Sequence, residues 1–292
     1  MSKFYLGIDG GASSAKWCLV DESGRKFKTG TSGPIDGHIY RAESKVRFTE
    51  FFSTLAREIS EEVAAIYLGL TGAPESIEKQ SALLDEIRAH FPVAKCLIEN
   101  DVFLAYRSAF GSERGILLYA GTGSILIFLN KDNQLKRIGG WGYLLGDEGA
   151  GYWIGREAIR SALFNLEAGE VTELSEVVFR SAKGPDWDSI KSFVYSADRS
   201  EIAAIAKEVI ELSENGVESA LEIIDSAGAE LAALVERGFL AAGSSKLPVV
   251  FAGGISRGSS RIKAAIEREL GIEISNFQGD TSLTAAELAR SL

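Results

Sequence analysis

The sequence is poor in cysteine and histidine, with two of each in 292 residues. Neither Cys18 nor Cys96 stands in a CxxC motif or a Cys/His cluster, so the sequence predicts no zinc or iron–sulfur site. We expect both thiols to be reduced residues of the core. The histidines, His38 and His90, lack partners at the spacing of a Ser-His-Asp triad, and chemistry of that type is not predicted.

Positive charge is also scarce, because 31 Lys and Arg residues face 41 Asp and Glu residues, for a formal net charge of −10. Nucleic acids and anionic membranes are bound by clustered basic residues, so neither partner is expected. No apolar stretch reaches the roughly 18 residues that a membrane span needs, and no signal-peptide pattern opens the sequence. These absences predict a cytoplasmic protein whose partners are small molecules.

The length and the apolar content of 46% indicate a globular chain that is too long for one comfortable core. We expect an N-terminal domain over residues 1–112, which the C-terminal helix 281–292 completes. A second domain over residues 113–280 is expected to carry a helical insertion.

Three glycine-rich turns follow apolar segments of β type. Glycine permits positive φ and lets main-chain N–H groups approach an anion closely, which is how a turn can hold phosphate. The candidate nucleotide ligands are Gly10, Gly11, Ala12 and Ser13 in the first turn (residues 10–14), Gly121, Thr122 and Gly123 in the second, and Gly253 and Gly254 in the third.

Strand patterns surround the first two turns in the same way. Apolar runs over 3–10, 15–21 and 26–32 predict an antiparallel meander, and runs over 115–119 and 124–129 repeat its beginning. We interpret this as a degenerate internal repeat with a phosphate turn in each copy and a nucleotide between the copies.

The rest of the chain alternates helical and strand patterns, which makes the fold class α/β. The predicted helices are 47–63, 75–90, 150–167, 172–181, 186–195, 199–213, 217–241, 259–270 and 281–291, and the further strands are 65–71, 94–99, 249–251 and 272–277.

Two acidic positions follow predicted strands. Asp9 precedes Gly10-Gly11, where a carboxylate could hold Mg²⁺ through water, although a strand-end Asp is also an ordinary turn former. Asp101, after Asn100, opens a helical segment, so it is either a helix N-cap or a general base that accepts a proton from a substrate hydroxyl. The sequence leaves both readings of each residue open.

Residues 139–149 combine five glycines with Trp141, Asp147 and Glu148. Carboxylates that accept hydrogen bonds from vicinal hydroxyls, beside an indole that can cover a sugar face, are typical of carbohydrate recognition. The alternative is a solvated acidic loop with a buried tryptophan. Thr71 and Gly72 form either a substrate contact or a plain strand-to-helix turn.

Together the three turns, the Asn100-Asp101 pair, the Gly140-Trp141-Gly142 segment and residues 146–149 resemble the N-acetylglucosamine kinases and the related ATPases of the benzoyl-CoA reductase activator type. This superfamily also includes actin. The resemblance covers essentially the whole chain. It implies two actin-like (ribonuclease H-like) domains of duplicated topology with a nucleotide cleft between them.

The resemblance further implies an ATP-dependent kinase that uses Mg²⁺ and phosphorylates an amino sugar, with N-acetylglucosamine at its 6-hydroxyl as the preferred reading, and it carries the expectation of a homodimer. Asp101 matches the catalytic base, Asp9 is the expected metal ligand, and residues 253–254 match the adenosine turn. The usual Thr-Lys-Thr tripeptide of the first turn falls on Ser13-Ser14-Ala15, and Lys16 follows. The residues expected at the substrate are Asp36, His38, Thr71, Gly72, Asn100, Asp101, Gly140, Trp141 and Asp147.

Three alternatives stay open at this point. The acceptor could be glucosamine or N-acetylmuramic acid. The chain could be an ATPase that drives electron transfer in a dehydratase or reductase, or a sensor that binds ATP and sugar without turnover.

Overall fold

The computed structural model describes residues 3–292, and the chain divides into two compact units. Unit 1 is the chain as far as Ser112 together with Gln278–Leu292, and unit 2 is Glu113–Phe277.

Both units combine strands with helices. In chain order the elements are β1 (Phe4–Gly10), β2 (Ala15–Asp21), β3 (Lys26–Ser32), α1 (Ala42–Glu58), β4 (Val63–Leu70), a 3₁₀ turn (Ile77–Gln80), α2 (Ser81–His90), β5 (Lys95–Glu99), α3 (Asp101–Phe110), β6 (Ile116–Ala120), β7 (Ser124–Leu129), β8 (Leu135–Gly139), α4 (Gly151–Ala168), α5 (Glu173–Ala182), α6 (Trp187–Ser196), α7 (Arg199–Glu214), α8 (Glu218–Ala242), β9 (Val249–Ala252), α9 (Gly254–Gly258), α10 (Ser260–Leu270), β10 (Ser275–Asn276) and α11 (Thr281–Ala289).

The two sheets share one topology. The order is β3-β2-β1-β4-β5 in unit 1 and β8-β7-β6-β9-β10 in unit 2, with an antiparallel meander followed by two parallel strands in each. The predicted meander and the internal repeat are therefore confirmed. Because β1, β4 and β5 run parallel, their carboxyl ends lie at one edge of the first sheet, where α/β folds commonly place ligands.

Helices cover both faces of the first sheet. On one face α1 buries Phe48, Phe52 and Leu55, which follow helical spacing, and fully burying each is worth about 1.5–3 kcal/mol. On the other face α11 lies so close to β1 that a Cβ added at Gly7 would be 2.0 Å from the main-chain nitrogen of Ala286. Gly7 thus permits the C-terminal helix to dock on β1.

Several boundaries differ from the sequence expectations. Helix α1 is 42–58 and not 47–63, because its first turn is mostly exposed and Ile59 is already extended. Strand β8 was not predicted. It follows a turn at residues 130–133, in which Asn133 has φ 57°. The expected strand 272–277 reduces to the two residues of β10.

Candidate active site

Asp101 begins α3 directly after β5. The helix N-cap is Asn100, whose side chain accepts a hydrogen bond from the main-chain nitrogen of Val102 at 3.2 Å. The capping role considered for Asp101 therefore belongs mainly to its neighbour, although Asp101 Oδ1 also lies 3.0 Å from the same nitrogen. The second carboxylate oxygen of Asp101 points to a different partner.

That partner is the Thr71 hydroxyl, which donates a short hydrogen bond to Asp101 Oδ2. Burial raises the pKa of Asp101 to about 6, the negative charge of Asp9 adds to this rise, and the Thr71 hydrogen bond opposes it. A carboxylate with this pKa is mostly ionised at neutral pH and is more basic than an ordinary aspartate. It can therefore accept a proton from a hydroxyl placed against it.

Thr71 connects three parts of the site. Besides its bond to Asp101, its main-chain nitrogen donates to the Gly10 carbonyl at 2.9 Å, and its carbonyl accepts from the Gly37 nitrogen at 2.8 Å. The first turn, the loop at residues 36–38 and the Asp101 carboxylate are thus held together. Thr71 lies in the turn that follows β4, as the turn reading expects, and the hydrogen bond to Asp101 is additional to that turn.

The loop at residues 36–38 is organised by Asp36. Its carboxylate accepts hydrogen bonds from the His38 nitrogen at 2.9 Å, from Ser44 Oγ at 3.0 Å and from the Arg47 guanidinium at 3.0 Å. Burial by itself would raise the pKa of Asp36, but these hydrogen bonds outweigh it, so the pKa lies below its ordinary value. Asp36 is therefore an ionised residue that shapes the loop.

His38 lies on the Gly72 backbone. A Cβ added at Gly72 would be 2.4 Å from His38 Cε1, and Gly72 has φ 70°, so glycine is required there on both counts. The imidazole is 39% exposed, which leaves it able to meet a ligand beside Thr71.

Asp9 is the penultimate residue of β1 and has a partner from the far end of the chain. The Thr281 hydroxyl, at the start of α11, donates to Asp9 Oδ2 at 2.5 Å. Burial raises the pKa of Asp9, while the Thr281 hydrogen bond and the charge of Lys16 oppose that rise. Sequence reasoning missed Thr281, because nothing local links two residues that are 272 positions apart.

The first turn presents unpaired main-chain donors. It is closed by the bond from the Gly11 nitrogen to the Ser14 carbonyl at 3.1 Å. Within residues 3–292, the N–H groups of Ala12, Ser13 and Ser14 have no protein acceptor, and Ala12 and Ser13 are exposed. Successive free amides of this kind suit a phosphate.

The reason for glycine in this turn differs from the expectation. Gly10 and Gly11 do not have positive φ. A Cβ on Gly10 would lie 2.9 Å from the side chains of Ile35 and Leu70, so glycine is needed there for close packing.

The side chains near the first turn can be tested as ligands for Mg²⁺. Among residues 3–292 no group of three or more His, Cys, Asp or Glu side chains could cage a metal ion. Mg²⁺ usually keeps several waters and is bound through one or two carboxylates together with substrate phosphates. The Asp9 and Asp101 carboxylates interact electrostatically and fit that second pattern.

In unit 2, Asp147 lies against the second turn. It has φ 64°, is 8% exposed and accepts a hydrogen bond from the Gly142 nitrogen at 3.3 Å. A Cβ added at Gly123 would be 2.2 Å from Asp147 Oδ2. Burial raises the pKa of this carboxyl group, and the Gly142 hydrogen bond opposes the rise. The second turn and the acidic loop therefore form one structure.

The alternative reading of residues 139–149 is wrong in both parts. Trp141 is 60% exposed and not buried, and Asp147 is buried and not solvated. The Arg237 guanidinium lies 4.8 Å from the centre of the Trp141 ring, a cation–π contact that orients the indole. Gly140 and Gly142 have φ 65° and 88°.

The third turn is tighter than expected. Gly253 has φ 101° and precedes the short helix α9, which begins at Gly254. A Cβ on Gly253 would lie 2.1 Å from the Ala120 carbonyl oxygen, so its glycine lets the ends of β6 and β9 approach. Here the expected positive φ is present.

A protein-family model, the BadF/BadG/BcrA/BcrD ATPase family, matches residues 6–280 of this chain. The chain belongs to this ATPase family. The resemblance inferred from the motifs is thereby confirmed, and it extends over nearly the whole sequence.

Three curated proteins are similar to this chain. An N-acetylmuramic acid/N-acetylglucosamine kinase of Clostridium acetobutylicum is 28% identical over 99% of both chains. An N-acetyl-D-glucosamine kinase of Dictyostelium discoideum is 26% identical over 99% of this chain and 98% of its own. A glucosamine kinase of Vibrio cholerae is 24% identical over 78% of each chain.

Solved structures confirm the fold. A protein from Chromobacterium violaceum described as a candidate N-acetylglucosamine kinase matches with a TM-score of 0.80, 23% identity and 98% coverage of both chains. A ROK family glucokinase from Streptomyces griseus, solved with glucose and AMPPNP, matches with a TM-score of 0.64, 16% identity and coverage of 99% and 100%. The predicted α/β fold with two actin-like domains is confirmed.

The positions of the two cysteines bear on the alternative that this ATPase drives electron transfer. Cys18 lies on β2 and Cys96 on β5, with β1 and β4 between them, so the two strands are about 14 Å apart. Burial raises the pKa of both thiols to about 11, and Cys18 is fully buried. The full burial of Cys18 makes this thiol inaccessible to an iron–sulfur cluster at the protein surface, whereas Cys96 is half-buried.

No helix in the described part of the chain is both long and apolar enough to cross a membrane.

Proposed function

We propose that this protein transfers the γ-phosphoryl group of ATP to the 6-hydroxyl of an amino sugar, with N-acetylglucosamine as the preferred acceptor. Its enzyme class is ATP-dependent carbohydrate kinase. The observation that carries the proposal is the Asp101 carboxylate, which has a pKa of about 6 and is held by Thr71 at the strand edge that also carries Asp9 and the first turn.

In the proposed reaction Asp101 accepts the proton of the sugar hydroxyl while the new oxygen–phosphorus bond forms and the bond to the β-phosphate oxygen breaks. ADP is the leaving group. Thr71 holds Oδ2, and Oδ1, which accepts from the Val102 nitrogen, retains a second lone pair for the hydroxyl. Positioning and charge neutralisation account for most of the acceleration in such transfers.

The first turn suits the phosphates through the free amides of residues 12–14. Asp9 would hold Mg²⁺ through water, and the ion, when bound, neutralises charge that develops on the phosphates. The proposed nucleotide ligands of unit 2 are the second turn and the third turn.

The acceptor contacts are proposed for two groups of residues. His38 and Gly72, shaped by Asp36 and Thr71, form the first group, and Asp147 with Trp141 forms the second. Asp147 uses one oxygen for the Gly142 nitrogen and retains acceptor capacity for a sugar hydroxyl. The exposed indole can cover the apolar face of a pyranose.

The test is a phosphorylation screen with ATP over N-acetylglucosamine, glucosamine, N-acetylmuramic acid and glucose, followed by phosphorus–proton correlation NMR of the product. We expect the highest kcat/KM for N-acetylglucosamine and a phosphorus coupling to the protons on C6. Faster turnover of another amino sugar would replace the acceptor, and coupling at another carbon would replace the hydroxyl.

Two further outcomes would contradict the proposal as a whole. Tight binding of ATP and sugar with no product would indicate a sensor. Iron in the purified homodimer or monomer, with ATP hydrolysis that needs no sugar, would indicate an activator of electron transfer.

A further inference from the structure

An ion pair joins the end of β5 to α3 on either side of Asp101. Glu99 is the last residue of β5, and Nε of Arg107 lies 3.1 Å from each of its two carboxylate oxygens. The Glu99 side chain is only 10% exposed, so the pair is partly withdrawn from water on its acidic side. The strand and the helix that meet at Asp101 are therefore bridged by opposite charges.

Tyr67 on β4 completes this network. Its hydroxyl donates a hydrogen bond to Glu99, and its ring is buried in a cluster with Leu104. Burial raises the pKa of Glu99, while the charge of Arg107 and the Tyr67 hydrogen bond oppose that rise. A buried polar network whose members are satisfied rigidifies its surroundings. Two strands and one helix are thus held together at this point.

The side of α3 that carries this pair packs closely on β4. A Cβ added at Gly69, which pairs with Glu99 in the sheet, would lie 2.4 Å from Leu104 Cδ2. Arg107 follows Leu104 by three positions, so the two side chains are neighbours on the surface of α3. The helix is therefore seated on the sheet by an apolar contact and, about one turn later, by the ion pair.

Asp101 lies within the bridge. Glu99 and Arg107 are 8 positions apart, and Asp101 is the first residue of α3, separated from β5 only by Asn100. A change in the angle between β5 and α3 would move the Asp101 carboxylate away from Thr71, which lies in the turn after β4. Thr71 restrains one carboxylate oxygen, whereas the ion pair restrains the helix that carries the carboxylate.

We propose that Arg107, acting through Glu99, is a positioning residue that fixes the orientation of the Asp101 carboxylate for proton transfer. The ion pair sets the angle at which α3 leaves β5. This inference rests on the proposed phosphoryl transfer and adds two residues that act through its base. Removal of the pair should lower kcat and leave the KM for ATP nearly unchanged.

The test compares steady-state kinetics of the wild type and of Glu99→Gln/Arg107→Met, with the best acceptor of the screen. Both charges are removed together, because loss of Arg107 alone leaves a buried carboxylate without its cation, which destabilises a fold strongly. We expect kcat to fall about 10- to 100-fold, since a displacement of about 1 Å can cost that much, with the KM for ATP within about twofold. Arg107→Lys should lose much less, because its ammonium can still pair with Glu99.

A double-mutant cycle separates positioning from a general weakening of the fold. In Asp101→Asn no base remains to be positioned, so adding Glu99→Gln/Arg107→Met should change kcat by less than about twofold. Equal fold losses with and without Asp101 would overturn the inference. Tyr67→Phe keeps both charges and serves if the double variant unfolds: it should lower kcat by a smaller factor, and only where Asp101 is present.

The matched control is Ser108→Ala on the same helix. It removes the acceptor of the Thr284 hydroxyl, a hydrogen bond of 3.0 Å that ties α3 to α11. We expect its kcat to equal that of the wild type, and a loss as large as that of Glu99→Gln/Arg107→Met would overturn the inference. Thermal unfolding of each variant checks that the fold is retained.

Amide hydrogen exchange tests the positioning without the reaction. Peptides that cover residues 100–104 should exchange faster in Glu99→Gln/Arg107→Met, whereas those of β2 should keep the wild-type rate; unchanged exchange at 100–104 would overturn the inference. A wild type that phosphorylates no amino sugar, with the expected exchange pattern, would contradict the proposed function alone. An active wild type whose double variant keeps its kcat would contradict the Arg107 assignment alone.

Discussion

In unit 1 two acids lie at the carboxyl ends of strands, whereas the counterpart strands of unit 2 have other residues there. Asp9 is the penultimate residue of β1 and Asp101 begins α3 after β5, while the counterpart strands β6 and β10 have Tyr119 as penultimate residue and Asn276 as last residue. The two sheets have the same order, so this difference is not one of topology. A duplicated fold can thus keep its framework in both copies while the residues at the strand ends differ between them.

The two buried aspartates sharpen the contrast. Burial raises the pKa of both Asp101 and Asp147. Asp101 is held by a hydroxyl next to a second carboxylate, whereas Asp147 is held by a main-chain nitrogen against a glycine turn. We therefore expect Asp101 to act on the reaction rate and Asp147 to act on acceptor binding.

The largest expected effect is that of Asp101→Asn. Asparagine can keep the Thr71 hydrogen bond but cannot accept the hydroxyl proton, so kcat should fall by about 10²- to 10⁴-fold while the KM for ATP changes little. Steady-state kinetics with the best acceptor of the screen measures this. Comparable kcat losses in Asp101→Asn and Asp147→Asn would abolish the contrast between the two units.

The pH dependence should report the same residue. Since Asp101 must be deprotonated to act as a base and its pKa is raised to about 6, kcat/KM should fall about tenfold per pH unit below pH 6. An ordinary aspartate would place this decline near pH 4. A rate profile from pH 5 to 8 that stays flat at its acid end would rule out Asp101 as the base.

A smaller effect is expected for Asp147→Asn. The amide oxygen can still accept from the Gly142 nitrogen, but the loss of charge weakens a hydrogen bond to a sugar hydroxyl. The KM for the sugar should rise about tenfold, with kcat reduced less, since such a bond is worth about 1.5–3 kcal/mol. If the KM for ATP rises instead of that for the sugar, Asp147 serves the second turn and not the acceptor.

The smallest effect is expected on stability, for Gly123→Ala. Its new Cβ would meet Asp147 Oδ2 at 2.2 Å, so the turn or the carboxylate must shift, at a cost of about 1–3 kcal/mol in the free energy of unfolding. Gly121→Ala is the matched control, because its Cβ would meet only Tyr119 Cε1 at 3.6 Å. Urea unfolding of both variants measures the difference, and equal losses would show that the Asp147 contact does not matter.

Much of the fold could be predicted from local patterns. The meander, the repeated Gly turn and most helices follow from apolar periodicity, which depends only on neighbours along the chain. Strand β8 was missed because its exposed residues carry little apolar signal, and β10 is shorter than its pattern suggested. The α1 boundaries shifted because a solvent-facing first turn leaves no apolar trace.

The site was predictable as a set of motifs but not as a set of contacts. Asp9, Asp101 and Asp147 could be named from their strand ends and glycine neighbours. The loop-shaping role of Asp36 and the partnership of Asp9 with Thr281 could not, because they include hydrogen bonds to residues 8 and 272 positions away. The Asn100 cap is a local bond, but the sequence did not decide which of the two neighbouring residues makes it.

The sequence by itself determined that this is an α/β chain with a repeated phosphate turn and the motifs of a sugar-kinase family, because periodicity and turn chemistry act over a few residues. Only the tertiary structure decided which carboxylate is buried with a raised pKa beside a second acid and which hydroxyl holds it. Burial and strand register set those properties, and both arise from residues that are distant in sequence.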